Sequence, residues 1–314
     1  MQKKIATREA YGIALAEIGE DTRIVVMDAD LSKSTKTEVF KKKYPERFFN
    51  MGIAEANMRS AAAGLASCGK VVFASTFAMF AAGRAFEQVR NSICYPELNV
   101  KIGASHAGLT VGEDGASHQV IEDISLMRSI PNMVVISPAD AVEARQATIA
   151  AAKIDGPVYL RLSRLAVPVL FDESTYKFEL GKGVTVSEGT DVTIISTGYM
   201  TGKAVEAVEQ LKSQGISARL VNIHTIKPID KDIIIKAAKE TGAIVTCEEH
   251  SVMGGFGSAV AEVLVENYPV PVKMVGVQDK FGKSGKPDEL IKMYGLTAED
   301  IVNKAKEVMA LKKA

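Results

Sequence analysis

Fifteen consecutive residues, Ser105-His106-Ala107-Gly108-Leu109-Thr110-Val111-Gly112-Glu113-Asp114-Gly115-Ala116-Ser117-His118-Gln119, hold two of the four histidines in this chain. Imidazoles on a glycine-rich segment suit acid-base work or phosphate binding near neutral pH, and a solvated surface loop is the plain alternative. Glu55 is the second candidate. It opens a stretch, Ala54 to Ala66, in which only Asn57, Arg59 and Ser60 are otherwise polar. A carboxylate among small apolar residues risks desolvation, which raises its pKa and fits it to share a proton with a ligand nitrogen. A first-turn glutamate favoured by the helix dipole is the simpler reading. Phe77 and Phe80 stand one helical turn apart and serve either as core or as a shelf for a planar ring. Gly254-Gly255-Phe256-Gly257 does not follow the G-x-G-x-x-G spacing and has no acid placed to read a ribose, so it reads as a backbone turn into a helix.

These residues need elements to position them. Ala10, Ile13, Ala14 and Ile18 recur at helical spacing, and short apolar runs follow at Ile24–Met27, Phe48–Met51, Val71–Ser75, Val100–Ala104, Met133–Ser137 and Val158–Leu162. Continuous apolar strands separated by amphipathic helices predict a parallel sheet covered on both faces, a doubly wound α/β domain. Ligands collect at the carboxyl ends of such strands. There the sequence places Asp28–Ser34, Met51–Asn57, the Ser105–Gln119 segment, and Arg161 with Arg164, which are expected to converge on one rim. Periodicity fades from Leu165 to about Gly183, and a second α/β unit begins. Its strands are predicted at Val192–Ser196, Ala218–Asn222, Ala243–Cys247 and Val272–Val277. Its helices are predicted near Thr201–Gln214, Asp230–Thr241 and Thr297–Leu311, with Gly215 and Gly242 at C-cap positions. The division is thus residues 1–170, a linker at 171–186, and residues 187–314.

Composition bounds the function. With 314 residues, 47% hydrophobic and 24% charged, the chain can bury two ordinary cores and is not disordered. Its 38 basic residues balance 38 acidic ones, so no net field draws it to nucleic acid or anionic lipid, and its partner is expected to be a small molecule or another protein. The most apolar stretch, Ala61–Gly83, carries Lys70 and is broken by Gly69, Ser75 and Thr76, which argues against a membrane span. Arg8, Glu9 and Glu17 interrupt any signal-peptide core, and a cytoplasmic location is expected. Cys68, Cys94 and Cys247 are odd in number and far apart, which predicts reduced, mostly buried thiols and neither a disulfide framework nor a cysteine zinc site.

Taken together these segments resemble the pyrimidine-binding and C-terminal domains of transketolase across essentially the whole chain. Val111-Gly112-Glu113-Asp114-Gly115-Ala116-Ser117-His118-Gln119 is similar to the family's V-G-E-D-G-P-T-H-Q, and Arg128-Ser129-Ile130-Pro131-Asn132 and Pro138-Ala139-Asp140 follow it. Met51-Gly52-Ile53-Ala54-Glu55 is similar to the segment carrying the family's catalytic glutamate. Thr246-Cys247-Glu248-Glu249-His250-Ser251 with Gly254-Gly255 resembles its C-terminal domain.

The resemblance implies thiamine diphosphate as cofactor and transfer of a ketol unit between sugar phosphates. It gives Glu55 the role of hydrogen-bonding and protonating a ring nitrogen of the cofactor's aminopyrimidine. It places Phe77 and Phe80 against that ring and Asp30 close to the cofactor. Arg8, Ser34, His106 and Arg164 fall around the substrate phosphate. Asp114 and His118 meet substrate hydroxyls and the reacting carbons, His118 as a catalytic group. Two positions depart from the pattern: Ala107 stands where transketolases commonly have Asp, and Gly83 where some members carry a third aromatic. The sequence contains neither the G-D-G nor the asparagine pair with which full-length members bind the metal and the diphosphate. The expectation is therefore a split enzyme. Its other chain, the N-terminal transketolase subunit, carries the diphosphate half with Mg (or Ca), and the two associate as a heterotetramer; this chain itself is expected to hold no metal. A 1-deoxyxylulose-5-phosphate synthase-like half shares the glutamate and the loop, but His106 favours transketolase. The beta chain of a 2-oxo-acid dehydrogenase shares the domain order but not the E-D-G-x-S-H-Q loop. A regulatory module that keeps the fold would not need Glu55 and a complete phosphate set.

Overall fold

Runs of Val, Ile and Leu that are apolar without alternation bury both faces of a strand, and the central strands of this chain lie that way. The computed structural model describes residues 3–312. Its strands are β1 (Lys4–Ala6), β2 (Ile24–Asp28), β3 (Phe48–Asn50), β4 (Val71–Phe77), β5 (Val100–Ser105), β6 (Val134–Ile136), β7 (Val158–Arg161), β8 (Ala166–Pro168), β9 (Val184–Ser187), β10 (Val192–Ser196), β11 (Ala218–Asn222), β12 (Thr225–Lys227), β13 (Ile244–Ser251) and β14 (Val272–Val277). The α-helices are α1 (Thr7–Ile18), α2 (Ser32–Thr35), α3 (Glu38–Lys43), α4 (Glu55–Ser67), α5 (Asp123–Ser129), α6 (Ala141–Lys153), α7 (Met200–Ser213), α8 (Lys231–Thr241), α9 (Phe256–Asn267), α10 (Pro287–Met293) and α11 (Ala298–Met309).

Seven strands form one sheet in the order β12-β6-β7-β5-β4-β2-β3, and five form another in the order β14-β13-β10-β11-β9. Both are parallel except at one edge, where β12 runs against β6 and β9 against β11. Two doubly wound α/β layers are thus present, as expected. The halves are joined more closely than the sequence suggests. β12 belongs to the second half yet closes the edge of the first sheet, with Thr225 opposite Ile136. One apolar core runs from Val25, Met27 and Ile102 through to Ile195, Ile223 and Phe256.

The first helix is where expected, and the structure shows which of its faces is buried. Ile13 is exposed, whereas Tyr11, Ala14 and Leu15 are fully buried. Tyr11 reaches under the sheet, its ring 6.4 Å from that of Phe73 and its hydroxyl 2.8 Å from that of Ser75. Ala10 meets Ala141 and Ala144, where small side chains let α1 and α6 approach. All three cysteines are free, Cys94 and Cys247 buried and Cys68 exposed. Gly242 ends α8 in the left-handed conformation (φ 66°), and Gly215 (φ 76°) lies just beyond α7. Among the described residues no helix is long and apolar enough to cross a membrane.

Candidate active site

Glu55 is the first residue of α4 and only 2% exposed. Its Oε2 accepts from Nη1 of Arg84 at 3.1 Å. Arg84 ends a π-helical turn, Phe80–Arg84, that follows β4, and its guanidinium lies 4.9 Å over the ring of Phe80. Such turns are frequent at functional positions. Phe77 closes β4, so the two phenylalanines are brought together by a strand end and a turn, their rings stacked at 6.1 Å and 16°. His106 stacks on Phe77 with centroids 3.9 Å apart, and His118 meets Phe80 edge-on at 5.3 Å. One aromatic cluster therefore unites the glycine-rich loop with the surroundings of Glu55.

The cationic corner lies on the same rim. Arg8 Nε donates to the Arg164 carbonyl (3.2 Å) and its Nη1 to the Ser34 carbonyl (2.5 Å). Arg164 Nη1 donates to the Val111 carbonyl at 2.6 Å and to Glu113 at 3.2 Å. Ser34 is held there because the buried Asp28 folds the loop after β2, accepting from the Leu31 amide (2.6 Å), Thr35 Oγ1 (2.6 Å) and Thr37 Oγ1 (2.8 Å). Burial pushes the Asp28 carboxyl up and those three donors pull it back. His106 is buried in the left-handed conformation (φ 58°). Burial first, then the charges of Arg8, Arg164 and His118, hold its pKa down to about 3, so it sits beside the arginines as a neutral ring.

Asp30 lies at the β2 end with φ 63° and is clasped by Asn50. The Asn50 amide donates to Asp30 Oδ1 at 2.9 Å, and the Asp30 amide returns a bond to Asn50 Oδ1 at 3.1 Å. Asp114 is exposed on the loop that also bears His118, whose Nδ1 is 3.0 Å from Ser117 Oγ. The structure thus joins Glu55, Phe77, Phe80, His106 and His118 in one cluster and Arg8, Ser34 and Arg164 in an adjoining one. Asp30 and Asp114 stand apart from these contacts. Arg161 corrects one expectation: it turns inward from the β7 end, 5% exposed, and pairs with Asp123 at 2.9 Å rather than reaching the rim.

Sequence reasoning passed over Arg84 and Asn50. The only signal for Arg84 was a lone arginine in an apolar run, Phe80-Ala81-Ala82-Gly83-Arg84. In sequence Arg59 is one polar residue in the small, apolar stretch Ala54–Ala66. It proves fully buried, with Nη1 donating to the Ala74 carbonyl at 2.8 Å and Nε and Nη2 unpartnered. Desolvation lowers its pKa to about 10.

Two doubly wound units, with acid, aromatic and cationic groups gathered at the carboxyl ends of parallel strands of the first, define an α/β protein with its site at a sheet rim. The chain belongs to the transketolase family: residues 3–169 match the transketolase pyrimidine-binding domain and residues 181–301 the transketolase C-terminal domain. A solved structure described as "Split gene transketolase, inactive beta4 tetramer" is 58% identical, superposes with a TM-score of 0.92, and is covered over 100% of its length by 98% of this chain. The 6-deoxy-6-sulfo-D-fructose transketolase subunit SqwH of Clostridium sp. strain MSTE9 is 45% identical over 302 residues, covering 96% of this chain and 94% of that protein. The transketolase of Rattus norvegicus is 40% identical over 308 residues, which is 96% of this chain but 49% of the rat protein.

Proposed function

We propose that this chain is the pyrimidine-binding and C-terminal half of a split, thiamine diphosphate-dependent transketolase that moves a two-carbon ketol unit between sugar phosphates. A partner chain contributes the half that binds the diphosphate and its Mg or Ca ion, and the two halves form a heterotetramer. The observation that carries this reading is the buried Glu55 beside the stacked Phe77 and Phe80, with Arg8, Ser34 and Arg164 gathered next to them.

The residues present fit the aminopyrimidine end of the cofactor. A buried carboxyl whose one side-chain partner among the described residues is a half-exposed arginine has a proton-carrying group free to address a ring nitrogen, and two stacked phenylalanines offer a flat apolar face. When bound, thiamine diphosphate supplies an electron sink for the carbon that is transferred. Glu55 holds and passes a proton at its carboxylate, and Arg84 balances its charge. Phe77 and Phe80 orient the ring and exclude water. His106, kept neutral, and the guanidinium forks of Arg8 and Arg164 hold the phosphate end of the sugar, while Asp114 and His118 address hydroxyls and the reacting carbons. Asp30 completes the cofactor's surroundings.

The reading is tested by assaying the chain alone and mixed with the diphosphate-binding half, each with magnesium and thiamine diphosphate. The isolated chain is expected to fold, self-associate and lack ketol transfer, with turnover restored on mixing. Robust turnover by the isolated chain would sink the split arrangement.

Arg164→Ala gives a second prediction. A charge-assisted bond to phosphate contributes about 1.5–3 kcal/mol, so losing it weakens use of sugar phosphates by roughly 10- to 100-fold. Non-phosphorylated donors make no such contact and should be turned over by the variant complex as by the unmodified one. An equal loss for both substrate classes assigns Arg164 to holding the Val111 carbonyl, its structural partner.

A further inference from the structure

The loop that carries Asp114 and His118 is gripped from the second half of the chain. Glu249, near the end of β13, is buried, and its Oε1 accepts from the Thr110 amide at 2.5 Å, across 139 positions of sequence. Gly108, with φ +80°, lies against the same carboxylate. A Cβ there would stand 2.4 Å from the Glu249 carboxyl carbon, so the close approach requires glycine.

Glu249 is itself anchored. Its carbonyl accepts from Arg161 Nη2 at 2.9 Å, and Arg161 Nε pairs with Asp123 at 2.9 Å. The next residue, His250, donates from Nδ1 to the Ser251 carbonyl (2.7 Å). Its Nε2 is thereby left to accept from the Ile124 and Ser125 amides at 3.2 and 3.4 Å. The Ser251 amide donates to the Ile121 carbonyl at 2.8 Å. At the far end of the loop, Gln119 Nε2 ties the carbonyls of Leu109 and Gly112 to that of Lys283, at 3.2, 3.1 and 2.9 Å. Arg161, Asp123, His250 and Gln119 are all buried, so these bonds are shielded from water.

From this geometry we infer that Glu249 is a positioning residue: the C-terminal half holds the glycine-rich loop in place and so sets how firmly the site binds substrate. The inference rests on the proposed reaction for the identity of the substrate, whereas the bracing of the loop is a property of this chain alone. Burial, opposed by the Arg161 guanidinium and the bonds from Thr110, leaves the Glu249 carboxyl raised to about 7, and the side-chain oxygen of a glutamine could accept from the Thr110 amide equally well.

Amide hydrogen exchange on the whole chain provides the first test. Glu249→Ala should speed exchange across residues 108–119 by about 10-fold or more, leaving β10 and α9 protected as before. Glu249→Gln, which keeps an oxygen for the Thr110 amide, should retain the slow exchange. Unchanged exchange in the loop of a folded Glu249→Ala chain overturns the proposal. If that variant does not fold, Gly108→Ala pushes the loop off the carboxylate from the other side, and an undisturbed loop there overturns it equally. In the complex with the diphosphate-binding half, Glu249→Ala should raise the KM for sugar phosphate about 10-fold and lower kcat as well, because the loosened loop carries His118, with thiamine diphosphate affinity nearly unchanged and Glu249→Gln restoring both constants. Parallel losses of cofactor and substrate affinity overturn the positioning role. Absence of ketol transfer in the unmodified complex refutes the proposed reaction, and the exchange measurement still decides the bracing.

Discussion

Glu55→Gln is expected to fold normally and, in the reconstituted complex, to slow proton exchange at the reactive carbon of the bound cofactor by roughly 10²- to 10⁴-fold. The side chain is 2% exposed, and the substitution preserves its size and leaves an oxygen to accept from Arg84. What it removes is a group able to carry a proton. Stability should barely change, because Arg84 is about half exposed and water solvates its charge once the carboxylate is gone. Isotope exchange of the cofactor proton, with the thermal midpoint as control, checks this. An exchange rate equal to that of the unmodified complex would return Glu55 to the simpler role of a first-turn glutamate.

The largest effect on stability is expected from Asp123→Ala. Asp123 is fully buried, and its Oδ2 accepts from both Arg161 Nε and the Tyr159 hydroxyl at 2.9 Å. Removing the carboxylate strands a guanidinium that is itself 5% exposed, and breaking such a pair from one side costs about 3–5 kcal/mol. The double change Asp123→Leu with Arg161→Met removes both charges and should recover most of the loss. Urea denaturation midpoints of the two variants provide the comparison. A midpoint for Asp123→Ala close to that of the unmodified chain would show that water reaches the guanidinium.

The core strands were legible because burial on both faces writes itself into consecutive residues. Val192–Ser196 and Ala218–Asn222 end where their apolar runs end, and Gly215 and Gly242 mark helix ends because both take the left-handed conformation there. The placement of Glu55, at the head of a helix poor in other polar groups, was legible for the same reason. By contrast β1, β8 and β12 are three residues each and β9 four, and their hydrogen bonds go to strands distant in sequence, so no local periodicity announces them. Ile13 is exposed because helical spacing defines a stripe of side chains but not which way the stripe is turned, and Tyr11 and Leu15 take the buried face.

The site divides along the same line. The identity of its acid, its aromatics and its basic groups was determined by sequence, since their residue types limit what protons and charges they can carry. Their partnerships were decided only by the tertiary structure: Arg84 with Glu55, Asn50 with Asp30, Arg161 turned inward to Asp123, and Glu249 reaching back to Thr110. A charge or hydrogen bond joins groups a few ångströms apart, whatever number of residues separates them along the chain. Which groups come that close depends on the path of the whole chain through two sheets.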